Sequence, residues 1–417
     1  MSCEKTSGIE IQGSRLLFLA LAAAMGGFLF GYDTAVINGG EQQIQQSWNL
    51  SGVMHGLVMS AALWGTVIGA FSGGRITDCL GRKWSLFWSG VFYLVSAVWS
   101  GIAYGPYDLM VARFIGGLAV GVSSIAAPVY IAEISPADRR GFMGGLFQLN
   151  IVIGMVASQF VNWWIGTAGL GDVTWRWMLG AESVPAVVFT LICPFLVESP
   201  KWLEMRASRT GNVDLPRFSE FFCRKHALLI FLAVSIAAFD QLSGINAVMY
   251  FAKRIFEMAG CSPSAAYAVA AFMSIVLGLG TFGGLWLIDR IGRRKLLLIG
   301  VTGCVVAHFA TAASFLLNLG VLASVCIHFF IVFYAIGQGV VMWVFISELF
   351  PTRFRAQGQS AGVFVHWMFA ATLTFVFPMM AAAWAPWLIF GFFGLCLTLL
   401  VAWAVFLMPE TKGKELQ

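Results

Sequence analysis

The chain has 417 residues, of which 59% are hydrophobic and only 11% are charged, and its formal net charge is +5. Soluble domains carry roughly 25% charged residues, so this composition excludes an ordinary soluble protein. The 37 Phe, 16 Trp and 46 Gly are typical of membrane helices, where aromatic residues lie at the interfaces and small residues allow close packing. The composition therefore predicts an all-α membrane protein.

The cysteine, histidine and basic residues exclude several other classes. The eight Cys are dispersed without a C-x-x-C pair, which argues against a disulfide scaffold or a zinc site. The five His are scattered, and no nucleophile–base arrangement stands out, so an enzyme is disfavoured. The basic residues fall in loops between apolar runs, as orientation signals do, and do not predict nucleic-acid binding. We expect neither a metal nor a cofactor.

Apolar windows bounded by charges or by Gly, Pro and Asn predict twelve membrane spans. The first apolar run is too long for a cleavable signal peptide and leads into further spans. In chain order the predicted limits are 16–39, 53–75, 84–104, 107–132, 143–166, 176–197, 227–252, 266–288, 296–317, 320–347, 358–382 and 385–408.

The distribution of Lys and Arg predicts the orientation of these spans. If the N-terminus is cytoplasmic, 21 of the 25 basic residues lie on the cytoplasmic side. Arg176, Lys253 and Arg254 lie at outer ends, and Arg113 lies within a span. The positive-inside rule therefore predicts that the chain lies in a cell membrane with both termini on the cytoplasmic side. The longest cytoplasmic connection divides the chain into three parts: six spans in 1–197, a short linker at 198–226 and six spans in 227–417.

Two motif pairs indicate that the halves are repeats of each other. GGRITDCLGRK at 73–83 matches GLWLIDRIGRR at 284–294, and EISPADRR at 133–140 matches ELFPTRFR at 348–355. Each pair lies at the cytoplasmic ends of corresponding spans. Such internal similarity is typical of transporters built from duplicated six-helix halves.

The charged residues of these motifs predict a cytoplasmic gate. Carboxylates at membrane level can face helix N-termini, and guanidiniums can reach acidic partners. Such pairs would hold the two halves together on the cytoplasmic side and separate when that side opens. The alternative is that the motifs are only topology signals and loop caps. The predicted gate residues are Asp78, Arg82, Glu133, Arg140, Asp289, Arg293, Glu348 and Arg355.

Three charged residues lie deep within the predicted spans of the N-terminal half: Asp33, Arg113 and Glu182. A single charge in the membrane is costly, and intramembrane ionisable residues are usually functional. An acid–base–acid set can compensate its own charges, with both acids competing for Arg113. The alternative is a fixed ion pair that holds spans together.

The chain closely resembles the sugar porters of the major facilitator superfamily. The resemblance covers essentially the whole chain, although the linker between the halves is shorter than in most members. It is carried by GYDTAVI at 31–37, GGRITDCLGRK at 73–83, RFIGGLAVG at 113–121, PVYIAEISPADRRG at 128–141, WRWM at 175–178, ESPKWL at 198–203, QLSGINAVMY at 241–250, DRIGRRK at 289–295, SELFPTRFRAQG at 347–358 and PETKGKELQ at 409–417.

The resemblance implies the major facilitator fold and secondary transport of a monosaccharide, a hexose or a pentose, by alternating access. Proton–sugar symporters of the family carry charged residues at the positions of Asp33, Arg113 and Glu182, whereas facilitative glucose carriers typically have a neutral residue at that of Asp33. The set therefore favours symport with H⁺, with a facilitative uniporter as the alternative. A non-transporting sugar sensor is a third reading. We expect the carrier to act as a monomer.

A sugar site needs amides for the hydroxyl groups and an aromatic ring for the C–H face. By resemblance, the sugar-contacting positions are Phe30, Gln148, Asp240, Gln241, Asn246, Trp343, His366 and Trp367. The alternative for the amides is hydrogen bonding between helices, and for the Trp residues simple packing. Gly244 permits a broken helix before Asn246, as midplane transporter sites often require.

Two of these positions depart from the family pattern. Asp240 stands where members commonly carry the first of two Gln, and His366 stands where an amide is usual. An ionised Asp only accepts hydrogen bonds, whereas Gln both donates and accepts them. Asp240 therefore either binds sugar hydroxyls or adds a second titrating group. His366 either binds sugar, senses pH or bonds within its own span.

Overall fold

The computed structural model describes residues 13–136, 140–208, 221, 226–351 and 354–412. Within these ranges, twelve helices are long and apolar enough to cross a membrane, which confirms the predicted number of spans. Most of the predicted linker 198–226 lies outside the described residues. Its described part begins with a short helix, Pro200–Ser208.

Six spans make up the N-terminal half. Their helices are span 1 (Gly13–Ser47), span 2 (Gly52–Leu80), span 3 (Arg82–Ile102), span 4 (Pro106–Ile134), span 5 (Arg140–Thr167) and span 6, which consists of Thr174–Ala181 and Ser183–Ile192 between the 3₁₀ turns Gly171–Val173 and Cys193–Phe195.

The C-terminal half repeats this arrangement with two broken spans. Its helices are span 7 (Ala227–Leu242 and Ile245–Tyr250, followed by Ala252–Met258), span 8 (Pro263–Ile291), span 9 (Arg293–Leu316), span 10 (Gly320–Ile336 and Gln338–Leu349), span 11 (Arg355–Ala383) and span 12 (Pro386–Phe406). We call the end of the bundle that carries Arg82 and Arg293 the motif end, and the opposite end the far end.

Span 1 is longer than its apolar run predicts. The apolar window ends at residue 39, but the helix continues through the polar sequence EQQIQQS to Ser47. Helical pattern rules end a membrane span where polar residues begin, which is why the sequence placed Glu41 in a loop. In the structure Glu41 is fully buried, because its carboxylate binds partners on spans 2 and 7.

Span 7 breaks at Gly244, as the sequence predicted. Gly244 has a φ of +82°, a left-handed conformation that favours glycine. A Cβ at this position would also lie 2.6 Å from the ring of Phe393. The carbonyl oxygen of Ser243 lies 3.0 Å from His308 Nε2. The break therefore separates Asp240 and Gln241 from Asn246 along the helix, while Asn246 still hydrogen-bonds Gln241. Broken helices of this kind are typical of transporter binding sites.

The two halves make their most extensive contacts along two pairs of spans. Span 2 packs against span 11, and span 5 packs against span 8. At Gly56 the backbones of spans 2 and 11 come so close that a Cβ would lie 2.1 Å from the Phe375 carbonyl oxygen. Small residues at such crossings allow membrane helices to pack through their backbones.

Gly56→Ala is expected to lower the stability of the folded protein by about 1–3 kcal/mol, the typical cost of overpacking. The added methyl group must push span 2 away from span 11, because the neighbouring atom is backbone. The measurement is the midpoint of thermal unfolding in detergent. Gly74→Ala, in the same helix with no atom within 4 Å of the added Cβ, is the matched control. Equal midpoints for the two variants would contradict the close contact.

Candidate functional site

The structure joins Asp33 of span 1 to Arg113 of span 4 in a buried ion pair. Both residues are 2% exposed. Arg113 Nη1 donates to Asp33 Oδ1 at 2.6 Å, and Arg113 Nη2 donates to Asp33 Oδ2 at 3.3 Å and to the Asp33 backbone oxygen at 3.0 Å. Eighty residues separate the partners in sequence. The buried acid of span 1 thus has a cation as its partner.

Glu182 completes the acid–base–acid set. It lies at the break in span 6, between Thr174–Ala181 and Ser183–Ile192, and is 2% exposed. Its carboxyl interacts with that of Asp33 and with the Arg113 guanidinium, while its Oε1 atom is buried without a described hydrogen-bond partner. Arg113 hydrogen-bonds Asp33, and Glu182 interacts with both electrostatically. With both acids ionised the set has one excess negative charge, and a proton on either acid makes it neutral.

The predicted aromatic residues of the sugar site meet across the two halves. The ring centroids of Phe30 on span 1 and Trp367 on span 11 are 5.6 Å apart. His366 lies 4.9 Å from the ring of Trp343 and 5.0 Å from that of Trp367. These rings join spans 1, 10 and 11 at one place and supply an apolar surface for a sugar's C–H face.

The predicted polar residues of the C-terminal half form one hydrogen-bonded cluster. Asn246 Nδ2 donates to Gln241 Oε1 at 2.7 Å. Gln241 Nε2 lies 3.1 and 3.2 Å from the two ring nitrogens of His366 and 3.3 Å from Asp240 Oδ2. Tyr334, which sequence reasoning missed, donates its hydroxyl to Asp240 Oδ2 at 3.2 Å. We call Asp240, Gln241, Asn246, Tyr334 and His366 the amide–acid cluster.

Gln148 of span 5 stands apart from the amide–acid cluster. Its side chain is exposed, and no hydrogen bond is described for it. The neighbouring Asn150 instead donates its amide to the Leu146 carbonyl oxygen of the same helix at 2.9 Å. The structure thus leaves the hydrogen-bonding groups of Gln148 open to a ligand and uses those of Asn150 internally.

The predicted gate residues form two similar sets at the motif end, each within one half. Arg82 binds Glu133 through Nε and Nη2, at 3.0 and 2.9 Å, and Asp78 through Nη1 at 2.9 Å. In the other half, Arg293 binds Glu348 at 3.0 and 2.7 Å and Asp289 at 3.0 Å.

These pairs do not cross between the halves, because each guanidinium is already occupied by acids of its own half. The expected contact across the halves at the motif end therefore stays a prediction for another conformation. The side chains of Arg140 and Arg355 lie outside the described part of the chain.

A third element of the repeat was missed from the sequence. Glu198 accepts hydrogen bonds from the backbone N–H groups of Arg82 and Lys83, and Glu410 accepts them from those of Arg293 and Arg294. Each acid thus caps the first turn of a span, where carboxylates are favourable. Burial raises the pKa of Glu410, but the backbone donors outweigh it and hold this pKa below its ordinary value. The signal was present in ESP and PET, which follow the last span of each half.

A polar cluster at the far end joins the two halves and was also missed. Arg254 donates to both carboxylate oxygens of Glu41 at 2.9 Å, and His55 Nε2 lies 2.9 Å from Glu41 Oε2. The backbone N–H of Lys253 donates a hydrogen bond to Asn38 Oδ1 at 3.0 Å. We define the far-end cluster by its members: Asn38, Glu41, Gln42, Gln45, His55, Lys253, Arg254 and Glu257.

The far-end cluster shows which side of the carrier is closed. The hydrogen bonds described between the halves lie at this end, and Tyr267 of span 8 adds one to the Gly39 carbonyl oxygen at 3.0 Å. At the motif end, by contrast, the described ion pairs lie within each half. The structure is therefore closed at the far end. Among the described residues, no group of three His, Cys, Asp or Glu side chains is arranged to hold a metal ion.

Comparison with known proteins agrees with this geometry. The family model for Sugar (and other) transporter matches residues 19–213 and 215–417. The chain is 30% identical to the glucose transport protein of Synechocystis, over 96% of both chains, and 29% identical to the arabinose-proton symporter of Bacillus subtilis, over 96% of this chain and 94% of that one.

Solved structures show the same fold. The inward-open xylose transporter XylE from E. coli superposes with a TM-score of 0.85 at 27% identity, over 96% of this chain and 98% of that chain. Twelve spans, a sequence match along both halves and this structural likeness agree with each other. The chain is a multi-pass membrane transporter, not an enzyme, and it belongs to the Sugar (and other) transporter family.

Proposed function

We propose that the chain is a proton-coupled monosaccharide symporter that works by alternating access. The observation that carries the proposal is the buried set of Asp33, Arg113 and Glu182, in which Arg113 pairs with Asp33 and a second buried acid interacts with both electrostatically. A buried uncompensated charge is expensive, so the set favours binding one proton whenever the site is closed to water. Proton binding and reorientation of the carrier are thereby linked.

Movement of the proton follows from the geometry of the pair. A proton on Asp33 weakens its bond to Arg113, which then turns to Glu182. Tyr250, at the end of the broken part of span 7, lies close enough to Arg113 and Asp33 to interact with both. The C-terminal half is therefore coupled electrostatically to the pair through Tyr250.

The sugar would lie between the halves, bound by the amide–acid cluster, by the rings of Phe30 and Trp367 and by Gln148, whose side chain is exposed and has no described hydrogen bond. Amides and a carboxylate supply donors and acceptors for hydroxyl groups, and the rings pack on the C–H face. Relatives named for glucose, arabinose and xylose transport support a hexose or a pentose.

The positive-inside rule places the motif end, and with it both termini, in the cytoplasm. The structure then represents an inward-facing carrier whose outer side is closed by the far-end cluster. In this proposal residues 1–197 and 227–417 are the two rocking halves, 198–226 links them, and one chain suffices for transport.

The test is sugar-induced pH change in proteoliposomes, using D-glucose, D-xylose, D-fructose and D-galactose. A symporter alkalinises the weakly buffered outer medium when its sugar is added, because protons enter with the sugar. A labelled sugar that equilibrates without proton movement would show a facilitative uniporter and overturn the proposed coupling. No uptake of any sugar, together with measurable binding, would favour a sensor.

Gln148→Ala is expected to raise the Kd of the transported sugar about tenfold, a loss of about 1.4 kcal/mol. One or two hydrogen bonds to hydroxyl groups, each contributing about 0.5–1.5 kcal/mol, account for this change. The unfolding midpoint should stay the same, because Gln148 has no described hydrogen bond to lose. Asn150→Ala, which removes an amide that bonds its own helix, is the matched control for sugar affinity. Equal affinities for the two variants would exclude Gln148 from the site.

A further inference from the structure

A second buried carboxylate, Asp240, has no role in the proton path described above. It lies in the last turn of the first helix of span 7, is 1% exposed, and belongs to the amide–acid cluster. Its Oδ2 accepts hydrogen bonds from Tyr334 and Gln241, while its Oδ1 is buried without a described hydrogen-bond partner. In the N-terminal half, Arg113 compensates the negative charge of the buried acids. The negative charge of Asp240 needs a compensating group of its own.

The charged and titratable groups around Asp240 leave one candidate. His366 Nδ1 of span 11 lies 3.4 Å from Asp240 Oδ2, and this is the one ion-pair contact of Asp240 within the described ranges. Tyr334 of span 10 contacts the carboxylate through its hydroxyl, and Cys304 of span 9 interacts with it electrostatically. His308 is directed instead at the Ser243 carbonyl oxygen.

We propose that Asp240 and His366 form a second proton-binding site, placed inside the sugar site, so that each sugar is carried with two protons. The inference rests on the proposed function, because it adds a proton to the same transport cycle. With a neutral imidazole the pair carries one uncompensated negative charge in a buried place. One added proton, on the ring or on the carboxylate, makes it neutral.

Protonation of this pair also changes what Gln241 can bind. A neutral His366 offers one ring nitrogen as an acceptor to Gln241 Nε2, which lies 3.1 and 3.2 Å from the ring nitrogens. A protonated imidazole donates from both nitrogens, so the Gln241 NH₂ group loses its acceptor on the ring while it still donates to Asp240 Oδ2. Its second N–H then becomes available to a sugar hydroxyl. Proton binding and sugar binding then favour each other at one amide.

The experiment measures the number of protons carried per sugar at static head. Proteoliposomes receive a known pH difference with the membrane potential clamped at zero, and the steady ratio of internal to external labelled sugar is recorded. The sugar is the one from the panel that gives the largest pH signal. Moving one proton down a difference of one pH unit releases about 1.36 kcal/mol, which sustains a tenfold concentration ratio of the sugar. Each coupled proton therefore raises the sugar ratio about tenfold per pH unit.

We expect a ratio of about a hundredfold per pH unit for the wild type and about tenfold for both His366→Gln and Asp240→Asn. His328→Gln is the control, because this His bonds the Ser324 carbonyl oxygen and stacks on Phe256, away from the amide–acid cluster. It should keep the wild-type ratio.

The experiment distinguishes failure of the second proton site from failure of proton coupling as a whole. A wild-type ratio of about tenfold that His366→Gln leaves unchanged would overturn the second proton site and leave the symporter standing. A wild-type ratio of one would overturn proton coupling itself.

If a variant proves too unstable for reconstitution, the Kd of the sugar is measured on detergent-purified protein between about pH 5 and 8. The wild type should bind more tightly at the acidic end of this range, and His366→Gln should lose that part of the dependence. The same slope in both proteins would overturn the inference.

Discussion

Asp33→Asn is expected to lower the sugar gradient at static head about tenfold per unit of pH difference, which is the contribution of one coupled proton. The amide that replaces the Asp33 carboxyl cannot ionise, so Arg113 and Glu182 balance each other's charge without a proton. Reorientation of the carrier then no longer depends on a proton bound in the N-terminal half. The fold should survive, because Glu182 already interacts with Arg113 and takes over the pairing. Exchange of labelled for unlabelled sugar at equal pH should therefore persist.

Two comparisons make this result decisive. Combining Asp33→Asn with His366→Gln should remove the remaining gradient, because each change removes one proton from the cycle. Asn38→Ala in span 1 is the structural control, because it removes a buried polar group of the far-end cluster and leaves every proton-binding acid in place. An Asp33→Asn carrier that builds the full wild-type gradient would show that Asp33 and Arg113 are only a structural pair.

Arg254→Ala is expected to shift the carrier toward the conformation that is open at the far end. Glu41 is fully buried, and Arg254 donates to both of its carboxylate oxygens. Removing one partner of a buried ion pair costs about 3–5 kcal/mol, because the remaining charge is left without compensation. When the far end opens, water reaches Glu41 and solvates its charge. The substitution therefore destabilises the closed state more than the open one. A change of about 3 kcal/mol shifts the ratio of the two states more than a hundredfold.

Spin labels on Gln46 and Met258 would measure this shift. Both side chains are exposed and lie at the far ends of spans 1 and 7, so their separation grows when the halves part. The labels are introduced as cysteines in a chain that lacks its eight native Cys. The matched control is Arg176→Ala, because this arginine binds the carbonyl oxygens of Gly101 and Ala103 within its own half. If the distance distribution of Arg254→Ala equals that of the control, the far-end cluster does not hold the carrier closed.

Much of the fold was readable from the sequence because a bilayer imposes simple rules. A span needs about 20 apolar residues and internal hydrogen bonds for every backbone group, so the twelve apolar windows correspond to twelve spans in the described part of the chain. The broken helix at Gly244 followed from one glycine between polar residues. Asp33 and Arg113 were expected to meet because an isolated buried charge is costly, and the structure places them 2.6 Å apart.

The far-end cluster could not be predicted from the apolar pattern of the sequence. The apolar count stops span 1 at residue 39, whereas the helix runs to Ser47 because Glu41 and its glutamine neighbours bind the end of span 7. Partners more than two hundred residues apart leave no local signal. The gate motifs show a second limit, because Arg82 and Arg293 each pair with an acid of their own half in this conformation, and pairing across the halves stays a prediction.

The sequence by itself determined the number of spans, the duplication of the halves, the family and the identity of the buried charged residues. These depend on local composition and on the cost of placing a charge in lipid. Only the tertiary structure decided that Asp33 is the acid that hydrogen-bonds Arg113, that Tyr334 and His366 lie beside Asp240, and that the far end is closed. The reason is physical: a transporter's sequence must fit more than one arrangement of its halves, so contacts between spans are set by packing in a particular state and are not encoded locally.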